Sequence, residues 1–267
     1  MSATAVTLKK LGQGIATITL DDGKVNIMTK KVWDDLIKTL HEAEQDPEIR
    51  GIIYRSGLKK PVFTAGNDIT ELYAPNTNAE RYCQFWLSQN IFLSHLAASP
   101  LLTMAAIKGA CPAGGCALAL CCDFRFVTKD VTSGLNEARI GISVPPFWQR
   151  MMAHVSSPII AERLCSLGYM LPAKELKKFG LADEIFDTEQ ENEEAAFRHV
   201  ATLLKEVPDA GRQISKAVSR SALTDPWRDE TRIREESDEK WPFLCSEPVV
   251  KGLGATLARL QKKPAKI

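Results

Sequence analysis

The chain has 267 residues, 45% hydrophobic and 25% charged, with 34 basic against 33 acidic side chains and a net charge of +1. That balance excludes nucleic acid as the default partner, and no apolar run reaches the roughly 20 residues that span a bilayer. Seven cysteines scattered through apolar segments, without an N-x-S/T sequon or a signal-type N-terminus, point to reduced thiols inside a reducing compartment rather than a disulfide framework.

In chain order, two β-rich runs around Gly12-Gln13-Gly14, within residues 5–20, predict a hairpin. Thr29 is placed to cap a helix whose Trp33, Leu36, Ile37, Leu40 and Ala43 follow the helical period. Arg50 to Tyr54 (RGIIY) predicts a strand, and residues 78–98 a helix leading into an apolar strand at Leu101 to Ile107. A glycine cluster follows, then a helix at about Gly114 to Cys121 and a strand at Phe124 to Val127. This alternation implies parallel strands joined by right-handed crossovers. Pro145-Pro146 breaks the pattern, and from there helical periodicity dominates, at about 147–155, 157–167, 189–206, 209–223, 227–243 and 247–262. The expected organisation is an α/β core over residues 1–200 and a helical region over 201–267, with no internal repeat.

Three segments fall where ligands meet parallel sheets, at the carboxyl ends of strands. Phe63-Thr64-Ala65-Gly66-Asn67-Asp68 and Lys108 to Cys122 (KGACPAGGCALALCC) share small residues, glycine and a helix that starts at once. Helix N-termini leave N–H groups unpaired, and two such groups aimed at one point form an oxyanion hole. Taken alone, either glycine loop is more often a structural turn. The third segment, Gly134 to Gly141, supplies Glu137, which on its own reads either as a surface glutamate in a loop or as a carboxylate in apolar company whose raised pKa suits a base toward a carbon acid.

The segments FTAGNDI, GACPAGGCALALCCD and GLNEARIGI with PPFW, in this order, resemble the crotonase (enoyl-CoA hydratase/isomerase) superfamily, and within it the mitochondrial-type Δ3,Δ2-enoyl-CoA isomerases. The resemblance covers about residues 5–260. It implies a spiral of ββα units with C-terminal helices that form homotrimers, or hexamers from paired trimers. It further implies an oxyanion hole from the N–H groups of Asn67 and Gly114, an acyl-CoA site at Ala65, Gly66, Asn67, Asp68 and Ile69, and Asn136 and Phe147 beside the acyl chain. Glu137 matches the family's acid/base. Hydratases of the family carry a second glutamate where this chain has Ala117, so the resemblance favours an isomerase working with one carboxylate on a fatty enoyl-CoA and no cofactor beyond its substrate. A hydratase, a dienoyl-CoA isomerase and a non-catalytic acyl-CoA- or RNA-binding scaffold are the alternatives.

Other candidates carry less. Cys111, Cys116 and Cys121 do not share a helix face and read as buried packing, and His41, His95, His154 and His199 lack metal-ligand spacing. Gly252-Leu253-Gly254 is no dinucleotide fingerprint. Glu71 is the other acid within reach of the site, its role open, and Lys59 and Lys60 read either as solvated surface, the commoner case for a lysine pair, or as point charges for coenzyme A phosphates. The ending Ala265-Lys266-Ile267 is similar to a peroxisomal address, whereas the family resemblance points to the mitochondrial matrix, and the chain as given has no room for a transit peptide.

Overall fold

Apolar, β-branched runs build the centre of the molecule. In the computed structural model, which describes residues 5–262, β1 (Val6–Gly12) and β2 (Ile15–Leu20) form the expected hairpin, with a bulge between Lys10 and Gly12. From β2 onward the sheet is parallel, adding β4 (Gly51–Ser56), β6 (Leu102–Ile107), β8 (Phe124–Thr128) and β11 (Glu184–Phe186) in the order β1-β2-β4-β6-β8-β11. A parallel sheet is covered on both faces, which is why IATITL, GIIYRS and LTMAAI are almost wholly buried. On one face α7 (Glu189–Glu206) lays Ala196, Val200 and Leu204 over Ile15, Ile53, Met104 and Phe126. On the other lie α1 (Lys30–Gln45), α2 (Ala79–Ala98) and α3 (Gly114–Cys121). Thr29 caps α1, its hydroxyl accepting from the Val32 N–H at 3.3 Å, and Trp33, Leu36 and Leu40 face the core.

Each of the first long parallel strands is followed by a short one. β3 (Ile27–Met28) pairs with β5 (Gly66–Asn67), and β7 (Ala110–Pro112) pairs with β9 (Thr132–Gly134), which also takes β10 (Leu171–Pro172). The succession β2-β3-α1, β4-β5-α2, β6-β7-α3 is therefore a structural repeat of ββα units in a chain with no sequence repeat. Strands of two or three residues are too short for periodicity to mark them.

After Pro145 the helices are α4 (Pro146–Val155), α5 (Pro158–Leu167), the short α6 (Ala173–Lys178), which periodicity did not mark, then α8 (Asp209–Thr224), α9 (Glu230–Leu244) and α10 (Glu247–Lys262). They share one hydrophobic core with the sheet: Trp227, Ile233, Leu244 and Leu253 join the cluster that holds Trp33 and Phe92. α8 is pinned by Lys216 and Arg220, both paired with Asp123, at 2.8 and 3.1 Å. α10 passes beside the two 3-10 turns Ile69–Glu71 and Glu137–Ile140. Among the described residues no helix is long and apolar enough to cross a membrane. Ala265-Lys266-Ile267 lies outside the described residues.

Candidate active site

The two glycine loops meet. In the β3–β5 pair the Asp68 N–H bonds the Met28 carbonyl at 3.1 Å, and because a parallel strand engages alternate residues, the Asn67 N–H faces the opposite side. Gly114 is the first residue of α3, so its N–H has no partner within the helix. The preceding Ala113 holds φ 49° and ψ −117°, a conformation rare for a residue with a Cβ, and is fixed by its N–H on the Gly134 carbonyl at 2.9 Å. Glycine at 114 is required by close approach: a Cβ there would collide with Asn67 Oδ1 and stand 2.9 Å from Trp33 Cζ2.

Both loops border a cavity of about 200 Å³ lined by Ala65, Asn67, Ile69, Ala113, Asn136 and Glu137. Ile140, Ile142, Pro145 and Trp148 make its apolar wall around the carboxylate, while Trp86 and Gln89 of α2 and Lys240, Phe243, Arg259 and Leu260 of α9 and α10 complete it. Glu137 opens a 3-10 turn closed by Gly141 and is only 5% exposed. Burial pushes its carboxyl up to about 7, against a smaller lowering from its own backbone N–H. Among the described residues its Oε2 has no hydrogen-bond partner, and the same holds for Trp86 Nε1 and Trp148 Nε1, two residues that border the same cavity. Buried polar atoms are ordinarily paired, so unpaired ones beside a cavity fit a site that a ligand completes.

Not every residue expected here lines the cavity. Phe147 is fully buried and stacks on Trp227 with centroids 5.2 Å apart, because the first turn of α4 aims it into the core and its neighbour Trp148 at the site. Asp68 caps the following turn, accepting from the Thr70 N–H at 2.9 Å, and Gly66 shapes the loop from behind, packed toward Pro112. Glu71 is buried against Arg81, whose Nε donates to it at 2.7 Å, and is not among the lining residues. Lys59 and Lys60 border a separate cleft with Lys108, Asp187 and Glu189, and the cations of this cavity are instead Lys240 and Arg259. Cys111, Cys116 and Cys121 are all buried, with Cys116 pushed up to about 12 by burial, as packing thiols should be.

A family model described as enoyl-CoA hydratase/isomerase matches residues 10–240. The chain belongs to the enoyl-CoA hydratase/isomerase family. Within that family it is 33% identical over 254 residues to mouse mitochondrial enoyl-CoA delta isomerase 1, covering 94% of this chain and 85% of the relative. The human enzyme of that name is 31% identical, with 94% and 82% covered. A solved structure of human mitochondrial delta3-delta2-enoyl-CoA isomerase superposes with a TM-score of 0.90 at 29% identity, covering 98% of this chain and all of that one. An enoyl-CoA hydratase from Bacillus halodurans shares the fold with a TM-score of 0.83 at 20% identity.

Proposed function

We propose that this family member is a Δ3,Δ2-enoyl-CoA isomerase, converting 3-enoyl-CoA to trans-2-enoyl-CoA in the oxidation of unsaturated fatty acids. The observation that carries the proposal is the single acid: among the described residues Glu137 is the one carboxylate lining the cavity, buried, with its Oε2 free of any hydrogen bond and its carboxyl poised near neutral pH. Chemistry needing two carboxylates around a water is disfavoured by Ala117, which is buried in α3, and by the engagement of Glu71 with Arg81. The same two facts weigh against a hydratase and a dienoyl isomerase, and the orphaned polar atoms weigh against an inert scaffold.

In a 3-enoyl thioester the C2 protons are acidified by the carbonyl and the alkene together. Ionised Glu137 removes one, leaving a dienolate whose oxygen is held by the N–H groups of Asn67 and Gly114. The carboxylic acid so formed then delivers the proton to C4, giving the conjugated thioester, while the apolar wall of Ile140, Ile142 and Trp148 keeps water from adding to it. Lys240 and Arg259, at the cavity's α9 and α10 side, suit the phosphates of coenzyme A. The test is the ultraviolet rise of the conjugated product when the protein meets 3-hexenoyl-CoA, with crotonyl-CoA as the hydration control. Turnover of the second and not the first overturns the proposal.

Because the base must be ionised, kcat/KM should rise with pH up to about 7 and level off above it. A pH–rate profile already flat from pH 5 would mean that Glu137 does not set the rate.

The C-terminal helices support assembly as a homotrimer. On α8, Ile214 and Val218 lie one turn apart and are 66% and 74% exposed, while Lys216 and Arg220 face the opposite way onto Asp123. Val218→Asp should shift sedimentation from trimer, or paired trimers, to monomer, and an unchanged sedimentation coefficient would exclude this face from the interface. The mitochondrial names of the relatives support the matrix as the location.

A further inference from the structure

The Asn67 side chain is pinned on two sides. Its Nδ2 donates to Gln89 Oε1 at 2.9 Å, and its Oδ1 packs onto the glycine backbone of Gly114 so closely that no Cβ fits between them. Gln89 is 1% exposed, borders the cavity, and sits in the middle of α2 among Phe85, Leu93 and other core residues. A buried amide costs free energy unless it is hydrogen-bonded. The link runs from the rigid helix α2, through the Asn67 amide, to the first residue of α3. It therefore joins the two backbone elements whose N–H groups are assigned to the substrate oxygen.

We propose that Gln89 is a positioning residue for the oxyanion site: by holding the Asn67 side chain against Gly114 it sets the separation of the two N–H donors. This rests on the isomerase proposal for the identity of the oxygen, and on the geometry alone for the link. Gln89 acts through Asn67 rather than on the substrate, so its loss should be felt where charge develops on oxygen and little where the ground state binds. A misplacement of the donors by a fraction of an ångström corresponds to a loss of roughly 10- to 100-fold in kcat.

The experiment compares wild type, Gln89→Leu, Asn67→Ala, which keeps its backbone N–H, and the double variant. Three quantities are read: kcat and KM on 3-hexenoyl-CoA, the dissociation constant of saturated hexanoyl-CoA, and the ultraviolet band of enolised acetoacetyl-CoA bound to the protein. The last reports enolate stabilisation without turnover. Expected are losses of about tenfold or more in kcat and in bound enolate for each single variant, with KM and hexanoyl-CoA binding within about threefold. The double variant should be no worse than the poorer single one, since both cut one link. Losses that multiply, or a Gln89→Leu variant with the enolate band and kcat of wild type, overturn the proposal. A wild type that binds enolate but does not turn over sinks the isomerase proposal while the enolate comparison still judges Gln89. A wild type that neither turns over nor shows bound enolate overturns both.

Discussion

Glu137→Gln should lose at least about 10²-fold in kcat on 3-hexenoyl-CoA while binding the thioester as wild type does, the loss expected when a general base is replaced by its neutral isostere. The amide keeps the shape of the side chain and cannot take a proton. Among the described residues no other carboxylate borders the cavity to replace it. The same variant should be more stable than wild type at alkaline pH. The Glu137 carboxyl sits near 7 in the folded protein against 4.5 when unfolded, so its ionisation opposes folding. Wild type is therefore at full stability below about pH 4.5 and loses it as pH rises through about 7. At pH 8 the difference from Gln amounts to about 3 kcal/mol, an upper estimate for a buried group. Thermal melts of both proteins at pH 4.5 and pH 8 check this: a gap that opens with pH is expected, and parallel curves would mean that the carboxylate is solvated or paired. A stabilising substitution that abolishes activity is the sign of a side chain kept for chemistry at a cost to the fold.

Gly114→Ala carries the second large effect. The added methyl group meets Asn67 Oδ1 and Trp33 Cζ2, and neither can yield. The Asn67 amide is held by Gln89, and Trp33 is fully buried in the core. The first turn of α3 must then move away from β5, taking the Gly114 N–H with it. Loss of one oxyanion donor costs about 10²- to 10³-fold in kcat, and that is the expected loss here, with the protein still folded by circular dichroism. Retention of kcat within about twofold would show that the Gly114 N–H plays no part.

How far the sequence alone leads can be judged residue by residue. The long strands and helices were legible because their apolar periodicity is long, whereas Glu137, an acid between Asn136 and an apolar run, was marked as the base only by the family resemblance. The ββα repeat was expected only through the family resemblance and not from periodicity, since β3, β5 and β10 are two residues each and owe their existence to pairing rather than propensity. Phe147 and Trp148 are adjacent aromatics, and only the angle at which α4 packs decides which one reaches the cavity. Lys240 and Arg259 come from helices far along the chain, so nothing local marks them as neighbours of Glu137. Gln89 did leave a trace: Ser88, Gln89 and Asn90 are three consecutive polar residues in the middle of α2, and all three are buried. Such a run is a signal of either helix packing or a site, and the hydrogen bond to Asn67 separates the two.

The central claim is that one carboxyl both removes and returns the proton. It is tested most directly with 3-hexenoyl-CoA carrying deuterium at C2, the product of a single turnover being read by mass spectrometry and NMR. Glu137 is buried in an apolar cavity, so the deuteron it takes should stay on it for the lifetime of the dienolate, and a substantial share of the trans-2-hexenoyl-CoA should carry deuterium at C4. A product whose C4 hydrogen comes entirely from solvent in the first turnover would contradict a single-carboxyl shuttle and require a second acid or a water within the site.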